Sequence, residues 1–131
     1  PNGSYAAVIP LFMESLKQNV SPIIHGDGEQ TRDFTFVENA VQANIRSFFA
    51  PNNAINEVYN VACGNRISLN TLWSHLKSIA GINLSANYGP LRKGDVKDSL
   101  ADISKAKRLL NYNPEFAVKE GIELTWEKFK R

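Results

Sequence analysis

Apolar positions along the chain recur with two periods, and their alternation predicts a mixed α and β order. Tyr5, Val8, Ile9, Phe12, Met13 and Leu16 follow the spacing of one helix face. Pro10 is expected at the first helical position, with the helix running to about Asn19. Pro22–His25 reads as a short strand closed by the Gly26–Gly28 turn, and Asp33–Val37 as a second strand. Val37, Ala40, Val41, Asn44, Ile45, Phe48 and Phe49 then stripe a helix that ends before Pro51. Glu57–Cys63 is rich in β-formers and predicts a third strand. Ser68 is a natural N-cap for a helix striped by Leu69, Leu72, Trp73, Leu76 and Ile79 and stopped by Gly81. A strand in Ser85–Pro90, a helix capped by Asp102, and a last helix carrying Val118, Ile122, Trp126 and Phe129 complete the order.

That order has no repeats and no low-complexity linker, so 131 residues are expected to form one α/β (mixed α+β) domain not separable into two. Composition changes little: 43% hydrophobic and 21% charged residues are ordinary for a globular chain, and a net charge of +2 is too mild to argue for nucleic acid. No apolar run of membrane-spanning length stands out, so neither a membrane span nor a signal peptide is expected. The one cysteine, Cys63, rules out an internal disulfide framework and fits a reducing cytoplasm. The first residues, "PNGSYAAVIP", open on a turn signal without methionine, so a fragment of a longer chain is expected.

Much chemistry is missing. No glycine-rich dinucleotide loop, phosphate-binding loop, nucleophile elbow or calcium loop occurs, and His25 and His75 have no partners at metal-ligand spacing. Two arginines stand out instead. Arg32 follows the glycine turn in "GDGEQTRDF", and Arg92 follows Gly-Pro in "PLRKGDVKDSLAD", with Asp95 three residues later. The planar guanidinium donates two parallel hydrogen bonds, which suits phosphate, and neighbouring glycines let a ligand approach the backbone. The plainer alternative pairs Arg32 with Asp33 or Glu29, and Arg92 with Asp95, at a solvated surface. Trp73 and Trp126 are expected in the core, Cys63 as a small buried hydrophobe, and Asp27 as the stabiliser of its own turn. Asp33 is expected either to orient Arg32 or to play no part in binding.

The order "YAAVIP … GDGEQTRDF … YNVACG … ISLNTL … LRKGDVKDSLADISKAKRLLNYNP" resembles the C-terminal part of the extended short-chain dehydrogenase/reductase family across essentially the whole chain. Within that family it is most similar to NAD-dependent UDP-sugar epimerases of the UDP-N-acetylglucosamine 4-epimerase kind. The resemblance implies that residues 1–131 are the UDP-sugar-binding region, without most of the Rossmann half. It implies that Arg32 and Arg92 contact the diphosphate and that Asp95 accepts from the ribose hydroxyls. It also implies that Val8, Ile23, His25 and Leu69 line the base or ribose, although relatives often carry Asn or an aromatic residue where this chain has His25.

NAD and the catalytic residues would belong to the intact parent, upstream, so no residue here is assigned a catalytic role and no cofactor is expected on the fragment, which should be inert alone. Two alternatives stay open: the same region of a nucleotide-sugar 4,6-dehydratase or UDP-glucuronate decarboxylase, and a stand-alone binding or assembly module. In relatives, Glu57–Cys63 and Val37–Phe49 pack on the dinucleotide-binding half, so a free fragment is expected to self-associate, or to belong to a homodimer.

Overall fold

A computed structural model describes residues 7–131; Tyr5, placed on the first helical stripe, lies outside them. The chain divides into two compact units. One takes Pro1–Gln30, Ser68–Lys97 and Glu123–Arg131, and the other Thr31–Ile67 and Asp98–Ile122. Neither is a single run of sequence, so no cut in the chain separates them.

In the first unit, α1 (Val8–Gln18) carries Pro10 as its third residue. The N–H groups of the first turn have no intrahelical partner, so proline costs no hydrogen bond there. Asn19 turns left-handed at φ 54° and ends the helix. Its buried face, Phe12, Met13 and Leu16, packs on α3 (Leu69–Ala80), where Phe12 meets Trp73 edge to face at 5.2 Å between ring centres. The Ser68 hydroxyl accepts the Thr71 N–H at 3.1 Å, the predicted N-cap, and Gly81 at φ 68° closes the helix. Strand β1 (Ile23–His25) runs parallel to β4 (Asn87–Gly89), with His25 opposite Gly89, and Ile24 is buried.

In the second unit, β2 (Thr31–Arg32) is a strand paired with β3 (Ile67–Ser68), of which Ile67 belongs to this unit. Ala43, Ala54, Ala62, Ile103, Ala106, Leu110 and Tyr112 form its core, and the Tyr112 hydroxyl donates to Ala62 O at 2.8 Å. Ala43 stands on α2 (Val37–Phe48), and Ile103 leads into α4 (Ser104–Leu110). The expected cap is displaced by one residue: Ile103 is the N-cap of α4 and makes no side-chain cap bond, while the Asp102 carboxylate just before it accepts the Ser104 N–H at 2.9 Å. Hydrogen bonds from the Ser104 side chain and then from its backbone hold the Asp102 carboxyl below the usual carboxylate range. The final helix, α5 (Val118–Phe129), starts in this unit and ends in the first. Trp73 and Trp126 are both buried, as the stripes predict.

Two expectations are corrected. The second strand is Thr31–Arg32 rather than Asp33–Val37. Asp33 turns its carboxylate to backbone N–H groups, while Phe36 becomes the extended residue before α2 and packs edge to face on Phe116 at 5.2 Å. Glu57–Cys63 forms no ladder, and the third strand is Ile67–Ser68. The segment keeps an inward side, with Ala62 in the core and Tyr59 donating to Ala54 O at 2.7 Å, but Val58 is 85% exposed. β-propensity reports fit to a pleated surface, and a strand still needs a neighbour to pair with. The apolar stripe of α2, by contrast, is uncovered, as expected of a helix that packs on another part of the family's proteins: Val37, Val41, Ile45 and Phe48 are exposed, and the buried residues are Asn39 and Ala43.

Candidate functional site

The turn in "GDGEQTRDF" is built by short-range bonds and one distant side chain. Asp27 Oδ1 accepts the Glu29 N–H at 3.0 Å, so Asp27 stabilises its own turn as expected. Asn70, on the first turn of α3, donates through Nδ2 to Asp27 O at 2.9 Å and to the Glu29 carboxylate at 2.6 Å. Its backbone N–H also reaches Gly28 O at 3.0 Å, and its Oδ1 accepts from the Tyr88 hydroxyl at 2.9 Å. Gly28 has φ 77°, and a Cβ there would lie 2.1 Å from Asn70 Oδ1, so this turn admits only glycine. Sequence reasoning missed Asn70, because it reaches the turn across 43 positions and carries no local signal of its own.

The first unit holds six of the seven residues expected to bind substrate: Val8, Ile23, His25, Leu69, Arg92 and Asp95. The β1–β4 ladder brings Ile23 and His25 to the segment that leads into Arg92. Ile23 Cγ2 would stand 3.1 Å from a Cβ on Gly89, and His25 Nδ1 lies 3.1 Å from Pro90 O. A carbonyl only accepts, so this bond requires the proton on Nδ1. Gln30, buried, donates to His25 O at 2.6 Å and steadies the same strand end. Arg92 and Asp95 are both exposed, in a turn where the Asp95 N–H donates to Arg92 O at 3.2 Å. Val8 and Leu69 are half-buried first residues of α1 and α3, and the Leu69 N–H donates to Gln30 O at 3.2 Å.

The seventh, Arg32, belongs to the second unit and is half-buried, its Nη1 donating to Thr31 O at 2.7 Å. Beside it, Asp33 Oδ1 accepts the Cys63 N–H at 3.0 Å, and Oδ2 accepts those of Gly64 at 3.0 Å and Ala101 at 3.4 Å. Burial, and then the Asp33 charge, pushes the Cys63 thiol up, which fits an inert small hydrophobe better than a nucleophile. Burial likewise raises the Tyr112 hydroxyl, with Cys63 and Asp33 adding to it. Among the described residues no group of His, Cys, Asp or Glu could hold a metal ion, and no helix is long and apolar enough to cross a membrane.

The chain is similar to known proteins over almost its whole length. Residues 4–125 match the family described as GDP-mannose 4,6 dehydratase. A UDP-glucose 4-epimerase of Mycolicibacterium smegmatis is 32% identical over 99% of this chain and 41% of its own length. A UDP-N-acetyl-alpha-D-glucosaminuronate decarboxylase of Bacillus cytotoxicus is 25% identical over 98% of this chain, again 41% of the relative. Among solved structures, UDP-glucose 4-epimerase of Thermotoga maritima with UDP-glucose superposes with a TM-score of 0.90, at 37% identity, over 99% of this chain and 41% of that one. UDP-N-acetylglucosamine 4-epimerase of Methanobrevibacter ruminantium, solved with UDP-N-acetylmuramic acid, gives 0.88 at 37% identity over 98% and 40%. UDP-glucuronic acid 4-epimerase of Bacillus cereus, solved with UDP-glucuronic acid and NAD, gives 0.89 at 29% identity over 95% and 40%. The chain therefore spans about two fifths of the length of the proteins it matches, and it belongs to the nucleotide-sugar epimerase and dehydratase family of extended short-chain dehydrogenases/reductases, corresponding to their C-terminal part.

Proposed function

We propose that this chain is the UDP-sugar-binding portion of an NAD-dependent nucleotide-sugar 4-epimerase, with UDP-N-acetylglucosamine or UDP-glucose as substrate. The observation that carries this is local to the first unit: one short ladder fastens Ile23 and His25 to the Gly89–Pro90 segment that runs into Arg92 and Asp95. The chain also aligns over 99% of its length with an epimerase solved with UDP-glucose. In this reading Arg92 and Arg32 each donate a bidentate pair of hydrogen bonds to phosphate oxygens. Asp95 accepts from ribose hydroxyls, and Ile23, His25, Val8 and Leu69 supply the walls for base and ribose.

NAD would be held by the intact parent rather than by these residues. The 131 residues contain neither a glycine-rich dinucleotide loop nor a Tyr-x-x-x-Lys pair, so this chain binds and orients, and hydride transfer is left to the upstream half. In this reading the protein works in the cytoplasm, which the single free cysteine, Cys63, suits. The decarboxylase relative keeps a second reading within the family, in which the same binding region serves a different reaction on the sugar. Assaying the full-length enzyme for a stable keto or decarboxylated product separates the two.

The exposed apolar face of α2 fits this picture. Phe49 and Val58 are exposed as well, and Val41, Ile45 and Phe49 border a groove of about 640 Å³. In the parent the upstream half covers that face; alone, the chain self-associates through it.

The direct test is a titration of the chain with UDP, following backbone amide shifts, beside Arg32→Ala. A charge-assisted hydrogen bond contributes roughly 1.5–3 kcal/mol, so the variant should bind about 10- to 100-fold more weakly. An absence of UDP-dependent shifts in the wild-type chain, or full-strength binding by the variant, would overturn the assignment.

A further inference from the structure

We propose that Asp33 and Thr31 are a positioning pair for Arg32, holding its backbone from both sides so that the guanidinium meets a phosphate without being reordered. The inference rests on the reading of Arg32 as a phosphate contact and adds to it the residues that set its place.

Both neighbours of Arg32 are tied to distant parts of the same unit. On one side, the Thr31 hydroxyl donates to Asp98 Oδ1 at 2.7 Å, Thr31 O accepts the Ser99 N–H at 3.2 Å, and Thr31 and Asp98 form an isolated parallel bridge. Arg66 Nη1, 3.5 Å from the same Asp98 oxygen, adds a positive charge to the cluster. On the other side, the two oxygens of Asp33 together take three backbone N–H groups, those of Cys63, Gly64 and Ala101. Arg32 is thus bracketed by contacts to residues 98–101 and 63–64, and its backbone cannot shift without breaking charge-assisted bonds on at least one side.

The chemistry of Asp33 is specific. An asparagine of the same size has a single acceptor oxygen, and its NH2 would face at least one backbone N–H, leaving a donor opposed by a donor. The receiving loop turns sharply at Gly64, which has φ 73° and where a Cβ would lie 2.6 Å from Ile103 Cδ1, so its conformation calls for glycine. The bracket acts through the backbone, so its effect on ligand should disappear once the arginine side chain is gone. That distinguishes positioning from a general contribution to the fold, which would weaken binding whatever stands at position 32.

A double-mutant cycle on the full 131-residue chain tests this, with UDP as the probe and amide shifts as the readout. Asp33→Asn should weaken UDP binding about tenfold with Arg32 present, and no more than about twofold in the Arg32→Ala background. Losses that simply multiply, or Asp33→Asn binding at full strength while Arg32→Ala is weakened, would overturn the positioning role. Full-strength binding by Arg32→Ala would instead overturn the phosphate reading beneath it. Should Asp33→Asn lose its dispersed amide spectrum, Thr31→Val, which removes only the hydroxyl bond to Asp98, carries the same cycle with the same expectation.

Discussion

Helices α2 and α3 have the same length and similarly clear apolar stripes in sequence, yet they end in opposite states. In α3 the stripe is sealed: Leu72 and Leu76 are 0% exposed and Trp73 4%. In α2 the stripe faces out, with Phe48 at 83% and Val37 at 64%, and the covered side presents a polar residue, Asn39 at 1%. Asn39 is kept there by hydrogen bonds: its Nδ2 donates to Phe116 O at 2.8 Å, and its Oδ1 accepts the N–H groups of Glu115 at 3.0 Å and Phe116 at 3.1 Å. Periodicity thus reports that a face is apolar, not what lies against it. A helix can be amphipathic toward a partner outside its own unit while a bonded polar side chain anchors it within.

The contrast can be broken at three points, taken here from the largest effect to the smallest. Leu76→Ala on α3 opens a cavity in a closed core and should cost about 2–5 kcal/mol, read as a lower urea midpoint. A loss under 1 kcal/mol would mean that the stripe of α3 is not sealed. Asn39→Ala on α2 removes a 1% exposed side chain and the three hydrogen bonds that tie it to Glu115 and Phe116, and should cost about 1–3 kcal/mol in the same measurement. If it proves neutral, α2 is held by something other than its polar anchor. Phe48→Ser together with Phe49→Ser should change folding stability by less than about 0.5 kcal/mol, because both rings are already exposed. The same pair should shift the sedimenting species toward the monomer, and an unchanged mass distribution would count against the apolar face as the self-association surface.

Local features of the fold were legible because their causes are local. The Ser68 cap acts over three residues, the Asp27 turn over two, and the left-handed close at Gly81 within one. The element order of helices and strands was legible too, but two strands were not where β-propensity put them. Thr31–Arg32 and Ile67–Ser68 carry the pairing, while the more strand-like Glu57–Cys63 carries none, because a ladder depends on which segment lies alongside. At the candidate site the motif order brought out Arg32, Arg92 and Asp95. Asn70, which meets Gly28 from a distant helix, was hidden; Asp33 was legible as a neighbour that could orient Arg32, but not that its carboxylate takes the N–H groups of Cys63, Gly64 and Ala101.

By itself, then, the sequence determined the helix faces, their caps, the glycine turn and the family motifs, since each is specified within a turn or two of chain. Only the tertiary structure decided that the chain folds as two units of interleaved segments, that Asn39 rather than the apolar stripe anchors α2 within its unit, and that the Asp33 carboxylate takes the N–H groups of Cys63 and Gly64. Those outcomes depend on partners 30 or more positions away, and pairing and burial are properties of the contact, not of either residue alone.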